Sequence, residues 1–197
     1  MAISSEIFDG ELPGLEEALS AALPVLDSQF AEGLLAGATN LIGPFTSYSA
    51  DPRDFVQQRE ASPDGWRGLV VNGDAPLALV DVFKGELETP SYGFRGSDAA
   101  GAMAAALRIA QRFEDDDRHY TVRWLSLPEI YVTALWLIGP TTLYIPTRLG
   151  SSERPTIEPI AEDAFIATVK TLIAEATEMP GPDGDEDSPR SGLSRRG

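Results

Sequence analysis

The segment YGFRGS, residues 92–97, carries the combination of side chains in this sequence that is most typical of a binding site. It joins two aromatic residues, an arginine and two glycines directly before a predicted helix. Amides at a helix N-terminus can hold an anion, and aromatic residues together with arginine commonly anchor protein interfaces. We predict that Tyr92, Phe94 and Arg95 bind either an oxyanion or carboxylate, or a partner protein. Packing of Tyr92 and Phe94 onto the core is the simpler interpretation, and Asp98 would repel an anion at this helix.

His119 is the single histidine, so any Ser-His-Asp triad or histidine-ligated metal would have to use it. It follows the acidic run EDDDR and precedes a predicted strand, which places it in a short loop. The sequence has no G-x-S-x-G motif that would supply a nucleophile. We expect a solvated loop histidine, and keep a hydrolase that uses carboxylates and His119 as an alternative function.

The acidic run Glu114–Asp117 could attract Ca²⁺ or Mg²⁺, which need several oxygen ligands converging from spaced positions. Consecutive residues at a helix end do not converge in this way, and the D-x-D-x-D-G spacing is missing. We favour a solvated charge run and predict no metal site. The chain has no cysteine, which excludes thiolate chemistry and cysteine-ligated zinc, and no glycine-rich cofactor loop, so no cofactor is expected.

The chain is strongly acidic, with 31 acidic and 15 basic residues and a formal net charge of −16. Such a surface repels nucleic-acid phosphates and anionic lipids, and no cluster of lysine and arginine forms a basic face. No apolar run reaches the roughly 18 residues of a membrane span, and the N-terminus does not resemble a signal peptide. We predict a cytoplasmic protein that binds neither nucleic acid nor membrane. The charge favours solubility first and attraction to a basic partner second.

The most apolar segment, Tyr131–Ile138, alternates in the manner of a β-strand. One set of alternating residues begins with Tyr131 and Thr133, the other with Val132 and Ala134, and neither contains a charge. A strand of this kind belongs inside a sheet that is covered on both faces, or covered on one face with the other in an interface.

Helical periodicity and capping residues predict the helices. An interrupted helical region begins near Leu15 and ends at Gly43-Pro44. A short helix starts at Asp51-Pro52, with aspartate as N-cap and proline in the first turn. An alanine-rich helix follows Ser97 as its N-cap, and an amphipathic helix follows Pro159.

Turn residues predict the strands between these helices. A hairpin turns at Asn72-Gly73, and its second strand is apolar on both sides except for Asp81. A three-stranded meander turns at Gly139-Pro140. Residues 62–65 are predicted as a turn, and residues 85–98 as a loop.

Together these elements predict an α+β, two-layer domain with a largely antiparallel sheet of about five strands packed against helices. The alanine-rich helix and the last helix are expected to cover one face, and the N-terminal helices to cover the other face or to wrap an edge. Residues 1–179 are predicted to form a single globular domain. Residues 180–197 are rich in proline, glycine, aspartate and serine and are predicted to be a disordered tail.

For function, the sequence favours a non-enzymatic cytoplasmic protein that acts through protein–protein binding, with a protein partner or a homo-oligomer. Its support is the lack of a nucleophile constellation, a metal cluster or a cofactor loop in the sequence. Two alternatives stay open. One is an inhibitor or immunity-type protein that blocks a basic target, and the other is the hydrolase based on His119.

Overall fold

The computed structural model describes residues 3–5, 14–22, 39–57, 61–83, 91–113, 119–151 and 156–178. The acidic run Glu114–Asp117, most of the predicted N-terminal helical region and the predicted tail lie outside the described residues. Helices and strands are mixed, which confirms the α+β class. In the part of the chain that is described, no helix is long and apolar enough to cross a membrane.

Four α-helices lie in the described ranges: α1 Leu15–Ala22, α2 Pro52–Val56, α3 Ser97–Ala110 and α4 Glu162–Glu178. The predicted cap of α2 is confirmed, because Asp51 Oδ1 accepts from the amides of Arg53, at 2.7 Å, and Asp54, at 3.2 Å. The cap of α3 falls one residue earlier than predicted, at Gly96, where no side chain caps the helix.

The described residues form one sheet of nine strands. The strands are β1 Ile3–Ser5, β2 Thr39–Ser49, β3 Ser62–Asn72, β4 Ala75–Phe83, β5 Ser91–Arg95, β6 Tyr120–Leu127, β7 Val132–Ile138, β8 Leu143–Arg148 and β9 Ile160–Ala161. Their order is β5-β4-β3-β2-β6-β7-β8-β9, and β1 pairs with β6. Two antiparallel meanders, β2 to β5 and β6 to β9, meet where β2 and β6 pair in parallel. The sheet is therefore mixed and larger than the predicted five strands.

The prediction of an interior strand at Tyr131–Ile138 is confirmed for β7, which lies between β6 and β8. Leu135 and Leu137 are buried on one face, and Val132 and Ala134 are buried on the other. Tyr131 itself is outside the strand. It ends a short 3₁₀ turn with a positive φ of 53°.

Helices cover both faces of the sheet, so the predicted two-layer arrangement is wrong. Helix α3 packs through Ala100, Met103 and Ala106 onto the face that carries Leu135. Helix α4 packs through Phe165 and Val169 onto the opposite face, together with α2, and α1 contributes there over β3 and β4. The central strands require this third layer because both of their sides are apolar.

The face under α4 is packed with aromatic rings. Tyr144 stacks on Phe165 with a centroid distance of 4.1 Å and on Trp136 at 6.0 Å. Phe55 of α2 meets Tyr144 and Phe165 edge to face. Such pairs contribute roughly 0.5–1.5 kcal/mol each beyond the area that they bury.

Two predicted breaks lie inside strands. Gly43-Pro44 is part of β2, where the register with β3 shifts between Ile42 and Phe45. Proline has no N–H to donate, so a ladder irregularity is where a strand tolerates it. The predicted turn at residues 62–65 is the start of β3, and a Cβ on Gly65 would lie 2.4 Å from a backbone oxygen of the neighbouring β4. Glycine is needed there because the two backbones approach closely.

The hairpin and the meander are confirmed. Strands β3 and β4 pair from Trp66 to Asn72, with Gly73 in the left-handed region at φ 56° in the turn. Strands β6, β7 and β8 follow one another as antiparallel neighbours. Residues 91–95 of the predicted loop form instead the strand β5, which pairs with β4.

Candidate functional site

A cleft of about 790 Å³ opens on the α3 face of the sheet. Six strands, the first turns of α3 and the segments that follow β8 and precede β9 contribute to its wall. The lining residues are Arg67, Leu79, Arg95, Asp98, Ala99, Gly101, Ala102, Trp124, Thr133, Thr147, Arg148, Ser151 and Ile157. We call it the arginine cleft, because its positive charges come from three arginines on three different strands.

The register of β3, β4 and β5 brings two of these arginines to one carboxylate. Arg67 lies opposite Asp81, and Asp81 lies opposite Gly93, two residues before Arg95. The Nε–H of Arg67 donates to Asp81 Oδ1, and the Nε–H of Arg95 donates to Oδ2 at 3.0 Å. Because each bond uses only Nε–H, the four remaining N–H groups of each guanidinium are left to bind a ligand or water.

Arg67 and Arg95 differ in burial, and this sets their electrostatics. The side chain of Arg67 is buried, whereas that of Arg95 is 55 % exposed. Burial lowers the pKa of Arg67 from its usual value, and the nearby charge of Arg95 lowers it further, while Asp81 acts in the opposite direction. The guanidinium stays protonated, so an anion that enters the cleft gains an incompletely solvated cation as its partner.

Trp124 of β6 forms part of the same wall. The guanidinium of Arg67 lies 4.7 Å from the centroid of its ring, within cation–π range. Trp124 is 1 % exposed, and its indole Nε1 is buried without a hydrogen-bond partner in the described part of the chain. A buried donor without an acceptor costs roughly 1–3 kcal/mol, and because this nitrogen has almost no accessible surface, the cleft meets the ring of Trp124 and not its N–H.

Two hydroxyls lie on the β7 and β8 side of the cleft. Thr133 Oγ1 and Thr147 Oγ1 are 2.8 Å apart, and Thr147 Oγ1 also donates to the Thr133 carbonyl at 3.2 Å. Both positions fall on the α3 face because they alternate with Leu135 and Ile145, which are buried there. The hydroxyls give this side of the cleft donor and acceptor capacity without charge.

Tyr131 and Arg148 form an exposed pair beside Thr133. The guanidinium of Arg148 lies 4.8 Å from the centroid of the Tyr131 ring, and Tyr131 is 59 % exposed. A positive φ is rare for a residue with a bulky side chain and costs about 1 kcal/mol or more. An aromatic ring and an arginine held together at the surface are the side-chain types that most often anchor a protein interface.

The charge of the cleft is opposite to that of the chain. Among the described residues at the cleft, Arg67, Arg95 and Arg148 contribute three positive charges, and Asp98 with the bridging Asp81 contributes two negative ones. The balance is therefore +1 at most, because the charge of Asp64 also acts on Arg67. The whole chain carries −16. An excess of positive charge in a concave, partly buried site attracts anions to this part of the surface.

The three predicted binding residues are separated by the pleat of β5. Arg95 lines the cleft, whereas Tyr92 and Phe94 pack on the opposite face beside Val80 and Val82. Burial raises the pKa of Tyr92, in keeping with its place against the core. The segment is thus divided between an arginine that lines the cleft and two aromatic residues that pack on the core.

Arg67 and Arg148 were missed by sequence reasoning. The register of β3, β4 and β5 places Arg67 with Arg95 on Asp81, whereas Arg148 of β8 lies opposite Thr133, six strands from Arg95 in the sheet order. The signal that could have found Arg67 is Asp81. A carboxylate in the middle of a strand that is otherwise apolar on both sides requires a buried cation on a neighbouring strand.

His119 is exposed and lies at the other end of β6 from the cleft. Thr133 pairs with Ser126, which is seven residues further along, or about 20 Å at the usual rise of a strand. The position of His119 therefore does not combine with the cleft into one catalytic site. In the described residues no group of histidine and acidic side chains is arranged to hold a metal ion.

Comparison with known proteins identifies no relative: the chain matches no protein-family profile, no curated protein and no solved structure at a significant level.

Proposed function

We propose that this protein is a non-enzymatic binding protein, and that the arginine cleft receives an anionic group of a partner protein. The observation that carries the proposal is that three arginines, Arg67, Arg95 and Arg148, line one concave site of an otherwise acidic chain. Arginine is suited to this task, because its planar guanidinium can bind a carboxylate through two parallel hydrogen bonds.

Binding fits the lining of the cleft better than catalysis does. General acid–base catalysis works best with a group that titrates near the operating pH, most often histidine. Among the described residues that line the cleft there is neither histidine nor lysine, and Asp98 is the one carboxylate. Asp81 behind them accepts a hydrogen bond from each of two guanidiniums, which engages both of its carboxylate oxygens.

The outer part of the cleft supports a protein as the partner. Arg148 and Tyr131 lie at the surface, where a partner can cover both of them. Burial of an exposed aromatic and an arginine under a partner is the pattern of an interface hot spot. An acidic segment of that partner would meet a complementary charge in the cleft, although the rest of this chain would repel it.

A salt-dependent capture experiment tests the proposal. The full chain, the double variant Arg95→Gln/Arg148→Gln and the matched control Arg108→Gln/Arg112→Gln are immobilised and exposed to native lysate. Arg108 and Arg112 are exposed on α3 or just after it and do not line the cleft, so both variants lose the same charge.

We expect the wild-type chain and the control to retain a protein at low salt and to release it at high salt, because salt screens exposed ion pairs. We expect the cleft variant to retain at least about tenfold less, which corresponds to about 1.4 kcal/mol. Equal retention by the cleft variant and the control would contradict the proposal. A basic protein retained equally by all three chains would instead favour an inhibitor that uses its acidic surface.

A further inference from the structure

The proposed function leaves open which anion the cleft accepts. We infer, on the basis of that proposed function, that the arginine cleft recognises a single carboxylate of an extended peptide, and that Asp98 excludes phosphate. The inference rests on the charge balance of the cleft, on the position of Asp98 and on the groups around the three arginines.

The charge balance matches a monoanion. Among the described residues the three arginines, Asp81 and Asp98 sum to +1, and Asp64, whose charge also acts on Arg67, lowers this balance, so the cleft compensates at most one carboxylate. A phosphate monoester carries about −1.5 to −2 near neutral pH and would leave the filled cleft negative. The whole chain has a net charge of −16, so it repels a phosphate further and does not compensate its charge.

Asp98 lies at the helix end whose free amides would otherwise bind a phosphate most favourably. Helix α3 begins at Ser97 beside the cleft, and its N-cap Gly96 provides no side-chain acceptor for the first amides. Free amides at such a helix end favour phosphate and sulfate. A carboxylate in the first turn competes for those amides and repels a dianion more strongly than a monoanion. Asp98 therefore acts as a specificity residue.

The remaining lining suits the peptide that carries the carboxylate. The hydroxyls of Thr133 and Thr147 can pair with peptide groups, and they carry no charge. The cleft volume of about 790 Å³ lies within the range for sites that enclose a small ligand, roughly 300–1,000 Å³. Such a volume accommodates a carboxylate with a few residues of extended chain.

A titration of the ¹⁵N-labelled full chain with three defined probes tests this inference. The probes are N-acetyl-trialanine with a free C-terminal carboxylate, the same peptide as its amide, and N-acetyl-alanyl-phosphoseryl-alanine amide. The reporter is the indole N–H resonance of Trp124, assigned through a Trp124→Phe variant. Asp98→Asn removes the charge at the cleft, and Asp74→Asn, in the exposed turn between β3 and β4, removes the same charge elsewhere.

For the wild-type chain we expect saturable shifts with the free carboxylate and at least about tenfold weaker binding of the amide, since the ion pairs are lost. We expect the phosphopeptide to bind more weakly than the carboxylate. Asp98→Asn should raise the phosphopeptide affinity by about threefold or more, whereas Asp74→Asn should leave it unchanged.

Phosphopeptide binding as tight as carboxylate binding in the wild-type chain would overturn the inference and leave the proposed function intact. An affinity ratio between the two anions that Asp98→Asn does not alter would overturn the role of Asp98. If none of the probes shifts the Trp124 resonance, the inference fails, and the capture experiment decides separately on the proposed function. Should Asp98→Asn fold poorly, the wild-type comparison alone still decides on carboxylate selectivity.

Discussion

The two faces of the sheet are built from different chemistry although they share the same strands. Under α4, stacked and edge-to-face rings fill the space around Tyr144 and Phe165. Under α3, small apolar side chains pack over the middle of the sheet, but one end carries the buried Arg67–Asp81 pair and the open arginine cleft. The face under α4 is thus filled by packed aromatic rings, whereas the face under α3 contains a buried ion pair and an open cleft.

This difference indicates where the fold is stabilised and where it is used. Aromatic packing contributes through buried area and is insensitive to salt. A buried ion pair contributes little net stability, because desolvation offsets its attraction, yet removing one partner is costly. Charge kept in such a position next to a cleft is better explained by recognition than by stability.

The largest effect is expected on the aromatic face. Phe165→Ala removes a ring that is fully buried and stacked on Tyr144, and it leaves a cavity between α4 and the sheet. We expect a loss of about 3–5 kcal/mol in the free energy of unfolding, measured by urea denaturation. The control Lys170→Ala, exposed on the same helix, should change it by less than about 0.5 kcal/mol. A loss below about 1 kcal/mol for Phe165→Ala would show that the aromatic face does not dominate stability.

The next effect concerns the buried ion pair, and it tests whether the fold needs the two charges or only the packing of the two side chains. Asp81→Ala leaves the buried guanidinium of Arg67 without its carboxylate, and we expect a loss of about 3 kcal/mol. The double variant Arg67→Met/Asp81→Leu should recover most of this loss, because an apolar pair of similar volume needs no compensation. Urea denaturation of both variants measures the difference. If the double variant is as unstable as Asp81→Ala, the pair stabilises the fold, and the contrast between the faces is wrong.

A smaller effect appears at alkaline pH. Burial raises the pKa of Tyr144 above its usual value, and the charge of Glu162 adds to this. Because the pKa of Tyr144 is higher in the folded state than in the unfolded state, the contribution of its protonated form to stability is complete below pH 10, the pKa of an unfolded tyrosine. This contribution is lost as the pH rises further. We expect wild-type stability to fall by up to about 1 kcal/mol more than that of Tyr144→Phe between pH 10 and 11. Equal falls in two urea series, matched at pH 8, would show that Tyr144 is not shielded.

An effect of similar size is expected in the cleft itself. Thr133→Val removes one partner of the hydroxyl pair with Thr147, and we expect a loss of about 1 kcal/mol. Thr171→Val on α4 is the matched control, because its hydroxyl bonds only within its own helix at an exposed position. Thermal unfolding of both variants should therefore separate them. A larger loss for Thr171→Val would indicate that the polar wall of the cleft is not ordered by this pair.

Sequence patterns predicted the elements whose signals are local. The Asn72-Gly73 hairpin and the meander through β7 depend on turn residues and lie where they were predicted. The amphipathic α4 is also present, but it begins at Glu162, and the strand β9 separates it from Pro159. Strand β2 was missed because Gly43-Pro44 indicates a break, whereas a shifted register absorbs it. The two short strands β5 and β9 were missed because a few residues carry too little alternation to identify.

The candidate site was less accessible to prediction than the fold. Arg95 was recognised, but Arg67 and Arg148 lie on β3 and β8. Strand register places Arg67 with Arg95 on Asp81, and only the folded sheet puts Arg148 into the lining of the same cleft. Tyr92 and Phe94 were grouped with Arg95 because they are neighbours in sequence. Successive residues of a strand point to opposite faces of the sheet. The separation of Arg95 from Tyr92 and Phe94 could therefore be predicted only once residues 91–95 were known to form a strand.

Site-specific photocrosslinking in cells tests the central claim most directly, because it captures a partner of any identity at a chosen position on the surface. A p-benzoylphenylalanine residue replaces exposed Tyr131 beside the cleft in one chain, and exposed Lys170 on the α4 side in another. We predict crosslinked adducts of higher mass from position 131 that disappear in the Arg95→Gln/Arg148→Gln background, and none from position 170. Adducts that form from position 170 alone, or that persist at position 131 without the two arginines, would contradict the account.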